Sequence, residues 1–176
     1  VGSIQWFGSM RLLGGVALDH QNSTSAAPEG DVAHVENRLV GKALKFWERS
    51  RDGQNLPTSS VLDHDDCPFS RDEAMIIEVG VSELDDRVVS AGEHVRAALG
   101  RDPTGLSVLD TLPSSTEMGL SFCRASVDLK KPMADVGRFF NKKGQEVLYR
   151  SILLPLSDDG IRVDCVVSAF SYKVVH

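Results

Sequence analysis

The chain has 176 residues, a formal net charge of −6, 41% hydrophobic residues and 25% charged residues. That length suits one domain with additional segments, and the composition is that of a globular protein able to bury a core. The acidic balance excludes broad nucleic-acid binding, which needs clustered cations, and no apolar run approaches the roughly 18 residues of a membrane span.

Lys130-Lys131 and Lys142-Lys143 are the basic pairs, and both read as solvated turn or helix-end residues. Cys67, Cys123 and Cys165 are widely spaced and form no CxxC, so neither a zinc site nor a redox pair is encoded. Reduced thiols in a cytoplasmic protein are the expectation, with Cys165 an inert core residue in the run Val163 to Val167. Ile4 to Leu18 is broken by glycine and lacks a basic opening, so it is not read as a signal peptide.

In chain order, Trp6, Phe7, Met10, Leu12 and Leu13 are spaced for a short amphipathic helix that Gly14-Gly15 would end. Gln21 to Gly30 has the small polar composition of a linker. Residues 1–34 are therefore expected to form an extension outside the main fold. A helix is predicted from about Val32, because Val35, Leu39, Ala43, Phe46 and Trp47 make one apolar stripe; Arg51-Asp52-Gly53 stops it. This flanking helix occupies 35–55, and the main domain 56–176.

Leu56 to Ser70 reads as a turn-rich connection. Strands follow at Ala74 to Val81 and Arg87 to Ala91, then a short helix at Glu93 to Leu99 closed by Gly100. Ser107 to Leu112 is short and irregular. Ser115 to Leu129 is the best helix of the second half, with Met118, Phe122 and Ala125 on one side and Pro132 preventing its continuation. Met133 to Phe140, Glu146 to Leu156 and Ile161 to Val175 are three β-rich runs joined by Gly-terminated turns, which is an antiparallel meander. In the last run Val166, Ser168, Phe170 and Tyr172 share a face that needs a cover, and the 35–50 helix is the natural candidate. Strands around a helical insert give an α+β class.

The order of elements resembles the PAS family. Phe46-Trp47, Asp52-Gly53 and Leu56-Pro57 carry the resemblance at the front. Gly100-Arg101-Asp102 with Thr104-Gly105 carries it in the middle, and Leu154 to Gly160 with Val163-Asp164 at the end. The resemblance spans roughly residues 40 to 173 and is closest to bacterial single-PAS domains with an extra N-terminal helix. It implies a five-stranded antiparallel sheet with short helices on one face. It also implies a regulatory role in bacterial signalling. Asp86-Arg87-Val88-Val89-Ser90 departs from the family by lacking an aromatic residue.

The family's cofactor markers are missing. Gly100 to Gly105 contains no cysteine for covalent flavin chemistry, and no histidine lies between Arg101 and Val175 to ligate haem. No cofactor is expected. Asp63-His64-Asp65-Asp66 lacks the glycine and terminal glutamate of a calcium loop and reads as a solvated acidic loop. No catalytic motif is present, and Cys123, mid-helix with only Arg124 adjacent, reads as core packing. The chain is therefore expected to be a sensor and not an enzyme.

Its ligand would be small and apolar and lie between the sheet and the helices at 93–130. The expected walls are Ile77, Val79, Phe122, Phe139, Ile152 and Val167, with Arg150 or Ser151 orienting a polar head group, depending on register. The alternative is a protein–protein interaction module with a filled core, in which Leu39, Phe46 and Trp47 extend into a dimer contact. The expected partners are a small molecule, a signalling protein and a second copy of the chain, with no nucleic acid and no membrane.

Overall fold

Apolar runs separated by glycine turns pair as antiparallel strands, and in the computed structural model they build one sheet. The structure describes residues 6–12, 32–111 and 121–175. The strands are β1 (Trp6–Leu12), β2 (Ala74–Glu78), β3 (Arg87–Ala91), β4 (Met133–Phe140), β5 (Glu146–Leu156) and β6 (Cys165–Val174). The helices are α1 (Val32–Ser50), α2 (Glu93–Leu99) and α3 (Phe122–Leu129). The class is α+β, with the PAS-like arrangement of five antiparallel strands, β2 to β6, carrying short helices on one face and preceded by an N-terminal helix. The full sheet order is β1-β4-β5-β6-β2-β3, so the first strand of the five pairs with the last.

The meander is held at its turns by side-chain acceptors. Asn141 Oδ1 accepts from the backbone of Lys143 and Gln145 at 2.9 and 3.0 Å between β4 and β5, and Gly144 takes φ 76°. Between β5 and β6, the Asp159 carboxylate accepts the N–H groups of Ile161 and Arg162, both at 2.8 Å. Those bonds hold its carboxyl far below the usual carboxylate range. Gly92 opens α2 where its backbone passes Arg71 and Asp72. A Cβ there would lie 2.2 Å from the Arg71 carbonyl oxygen, so only glycine fits.

Each face of the sheet has its own cover. α2 ends beside the β4–β5 turn, where Lys142 N donates to Leu99 O at 3.1 Å. At that end Phe139 and Val147 on one face are fully buried, whereas Phe140 and Leu148 on the other are exposed, which identifies the face α2 covers. α3 lies against β4 and β5. Under these two helices register places Met75, Ile77, Val88, Met133, Leu153 and Val166, all buried. The opposite face buries Ile152, Leu154, Val167 and Ala169, and α1, which packs on β5 and β6, lies over it with the turn at Ser59–Asp63. The indole Nε1 of Trp47 donates to Pro155 O at 2.7 Å and fixes α1 at the end of β5.

Four sequence expectations change. Trp6–Leu12 is a strand, antiparallel to β4 with Trp6 opposite Phe139, so part of the expected extension belongs to the sheet. Its apolar spacing suits either structure, and a free edge on β4 decides for the strand. The face with Val166, Ser168 and Phe170 is covered by α2 and α3, and α1 takes the other. α3 begins at Phe122, because the Ser121 side chain accepts from Arg124 N and caps the helix there. β2 and β6 are shorter than their apolar runs, ending at Glu78 and starting at Cys165. The expected linker at Gln21 to Gly30, the Gly14-Gly15 stop, Leu112 and the Ser115 to Leu120 part of the expected helix, with Met118, lie outside the described residues. Among the described residues no helix is long and apolar enough to cross a membrane.

Candidate functional site

The helix-covered face is apolar at its ends and polar in its middle. Period-two alternation turns Asp135 of β4, Tyr149 and Ser151 of β5 and Ser168 of β6 inward among Met133, Phe139, Leu153 and Phe170. Asp135 stands directly opposite Ser151. Both are buried, as is Ser168 at 1% exposure.

Tyr149 Oη donates to Asp135 Oδ2 at 2.5 Å. The Tyr149 ring stacks on Phe170 with centroids 5.8 Å apart and meets Phe139 edge-on at 5.7 Å, so its hydroxyl has little freedom to leave. The other carboxylate oxygen, Asp135 Oδ1, has no hydrogen-bond partner, and neither has Ser168 Oγ. Burial pushes the Asp135 carboxyl above its ordinary value against the lowering effects of the Tyr149 bond and of the Val136 backbone N–H. Burial and the neighbouring carboxylate together push the Tyr149 phenol up as well. Each unpartnered buried acceptor costs about 1–3 kcal/mol.

α3 is positioned over this face by acids from the β2–β3 connection. Asp86, fully buried, accepts from Gly80 N at 2.9 Å and from the Arg124 guanidinium at 2.5 Å. Burial pushes its carboxyl up, opposed by the Gly80 N–H and the Arg124 charge. Glu83 Oε1 accepts from Ser121 N at 2.7 Å, which places a carboxylate at the N-terminus of the helix, where its dipole favours one. Cys123 thus lies in the first turn of α3 and not in mid-helix. Burial nevertheless pushes its thiol far up, and Cys165 up to about 12, so neither is a thiolate at neutral pH.

The expected wall residues divide between the two faces. Ile77 and Phe139 lie on the helix-covered side, fully buried, and Phe122 of α3 is buried with them. Ile152 and Val167 lie on the α1 side, as does Arg150, and cannot line the same cavity as Ile77. Ser151, the other residue considered for a polar head group, is the one that faces the helices. Val79 follows β2, half-buried, with its N–H donated to Asp164 O at 3.0 Å. Of the expected interface residues, Leu39 is half-buried while Phe46 and Trp47 are packed inside the chain at 3% and 5% exposure.

Sequence reading missed Asp135, Tyr149 and Ser168. The available signal was a polar residue at the inward phase of an apolar strand, as in Met133-Ala134-Asp135. The acidic loop is engaged elsewhere: Asp66 pairs with Arg49 at 2.5 Å and Asp63 with Arg71. Among the described residues no group of three or more His, Cys, Asp or Glu side chains converges to hold a metal ion. No family model matches the chain, and no curated protein matches it.

Proposed function

We propose that the chain is a PAS-like sensory or regulatory domain of bacterial signalling that binds a small ligand between the helix-covered face of its sheet and the helices above it. The observation that carries this reading is the pair of unpartnered buried acceptors, Asp135 Oδ1 and Ser168 Oγ, in the middle of that face. Buried polar groups are almost always bonded, and these two stand on strands separated by β5, so two separate polar groups of one ligand would satisfy them. The ligand then has an apolar body, to suit Phe139, Leu153 and Phe170, and a hydroxyl, amide or ammonium group at each of two positions. The site binds and does not catalyse in this reading, since the nearby thiols are held protonated and Tyr149 is committed to Asp135.

Native mass spectrometry of the purified chain tests the proposal. It predicts an excess mass that disappears on denaturation and is reduced in the Asp135→Leu variant; a bare mass in the native protein contradicts it.

A second reading, an interaction module with a filled core, is favoured by one observation. Val136, Phe140 and Leu148 share the α1-side face beyond the helix and are 42%, 50% and 43% exposed. Exposed apolar side chains clustered on a sheet face, here interleaved with Arg138, Glu146 and Arg150, suit an association surface. In this reading a second copy of the chain covers them, and the Phe140→Ser/Leu148→Ser double variant is monomeric at concentrations where the parent is dimeric. A parent that sediments as a monomer removes this reading.

A further inference from the structure

A cleft of about 370 Å³ lies away from the sheet's polar centre, between the last turns of α1 and the α3–β4 connection. Its apolar floor includes Trp47, Leu44 and Leu129. Arg51, Lys130 and Lys131 supply three cations at its walls, against one carboxylate, Glu48.

Those cations have an ordinary role to be weighed first, since they stand at the C-termini of two helices. Each terminus carries about half a negative charge. Two termini and Glu48 together offset about two of the three cations, which leaves about one positive charge unmatched.

The geometry of the cations supports a use for that excess. The Arg51 guanidinium lies 5.2 Å over the Trp47 ring, and its Nε–H is buried without a partner. Lys130 donates to Ile161 O at 2.6 Å and retains further ammonium protons. Its backbone sits at φ 53°, a left-handed conformation that costs a non-glycine residue about 1–2 kcal/mol and that glycine would adopt freely. Ser126 Oγ donates to Lys131 O at 2.7 Å, which fixes the backbone that presents both lysines.

We propose that this cleft binds a small organic monoanion, a carboxylate with an aromatic or aliphatic body. The body packs on Leu44 and Leu129, and the charge is met by Lys131 and by Arg51, which the Trp47 ring holds in place. The volume falls in the range of small-molecule sites. The occupied cleft ties α1 to the start of β4.

Isothermal titration calorimetry of the full chain with 2-naphthoate tests this. We expect saturable binding of one molecule per chain, weakened about fivefold in Arg51→Gln and in Lys131→Gln. The neutral isostere 2-naphthalenemethanol and inorganic phosphate should each bind at least about tenfold more weakly, because each lacks one half of the recognition. Lys131 is exposed, so Lys131→Gln retains the parent fold by circular dichroism and decides the matter even if Arg51→Gln does not. Asp135→Asn should leave the naphthoate affinity unchanged, which separates this site from the one on the sheet. No heat of binding at millimolar 2-naphthoate, equal affinity for the neutral isostere or for phosphate, or parental affinity in Lys131→Gln would overturn the proposal.

Discussion

The two faces of the sheet are made from the same strands yet are buried in different ways. The α1 side buries aliphatic residues, Ile152, Leu154, Val167 and Ala169, and leaves its polar and charged positions toward the open end near Phe140 and Leu148. The helix side buries its polar positions too. Asp135, Ser151 and Ser168 lie beneath α2 and α3 among the largest side chains of the core. Hydrophobic burial alone would have placed apolar residues at all of them, since each polar group costs free energy there unless it is bonded. The α1 side is therefore a packing surface, and the helix side, where packing leaves polar groups buried, is where the proposed ligand site lies.

The largest effects should come from the helix side. Phe139→Ala removes a fully buried ring and should destabilise the fold by about 3–5 kcal/mol in chemical denaturation. Arg124→Ala leaves Asp86 buried without its countercharge and should cost a similar amount, about 3–5 kcal/mol. A loss below about 1 kcal/mol would mean that α3 is not anchored by this pair. On the α1 side, Trp47→Phe keeps an aromatic ring but removes the five-membered half of the indole and leaves Pro155 O without its donor, and should cost about 2–3 kcal/mol.

The polar centre has its own signature in pH. The Asp135 carboxyl is raised in the folded chain, chiefly by burial, so the folded state holds this proton more tightly than the unfolded chain. The stability it contributes is complete below the ordinary carboxyl value of about 3.9 and is lost as pH rises through the raised value. Asp135→Asn removes that dependence. Its stability relative to the parent should rise between pH 4 and pH 8, and a constant difference would place the carboxyl in an ordinary environment. The smallest effect belongs to the exposed end of the α1 side. There Phe140→Ser with Leu148→Ser should change stability by under about 0.5 kcal/mol per site while altering any self-association.

The sequence showed the elements more clearly than the faces. β3, β4, β5 and α2 have the limits their turn residues imply, because glycine and asparagine at the turns punctuate the runs. The face of each residue on β5 was not legible, since Ile152-Leu153-Leu154-Pro155-Leu156 is apolar at every position and the period-two signal disappears. For that reason Ile152 groups with Ile77 in the sequence, whereas the faces of β6 alternate legibly and only the structure shows which of them each helix covers. Trp6–Leu12 offered a helical spacing that the open edge of β4 overrode. Asp135 and Tyr149 are 14 positions apart, and only the pairing of β4 with β5 brings them together.

The difference between the faces can be read from two methyl groups. Ile77 lies under the helices and Ile152 under α1, both fully buried. Methyl spectra of the protein as purified, and after denaturation, removal of small molecules and refolding, should show the Ile77 δ1 methyl moving while that of Ile152 stays in place. If neither methyl moves, or if Ile152 moves and Ile77 does not, the helix-covered face is not the site of recognition.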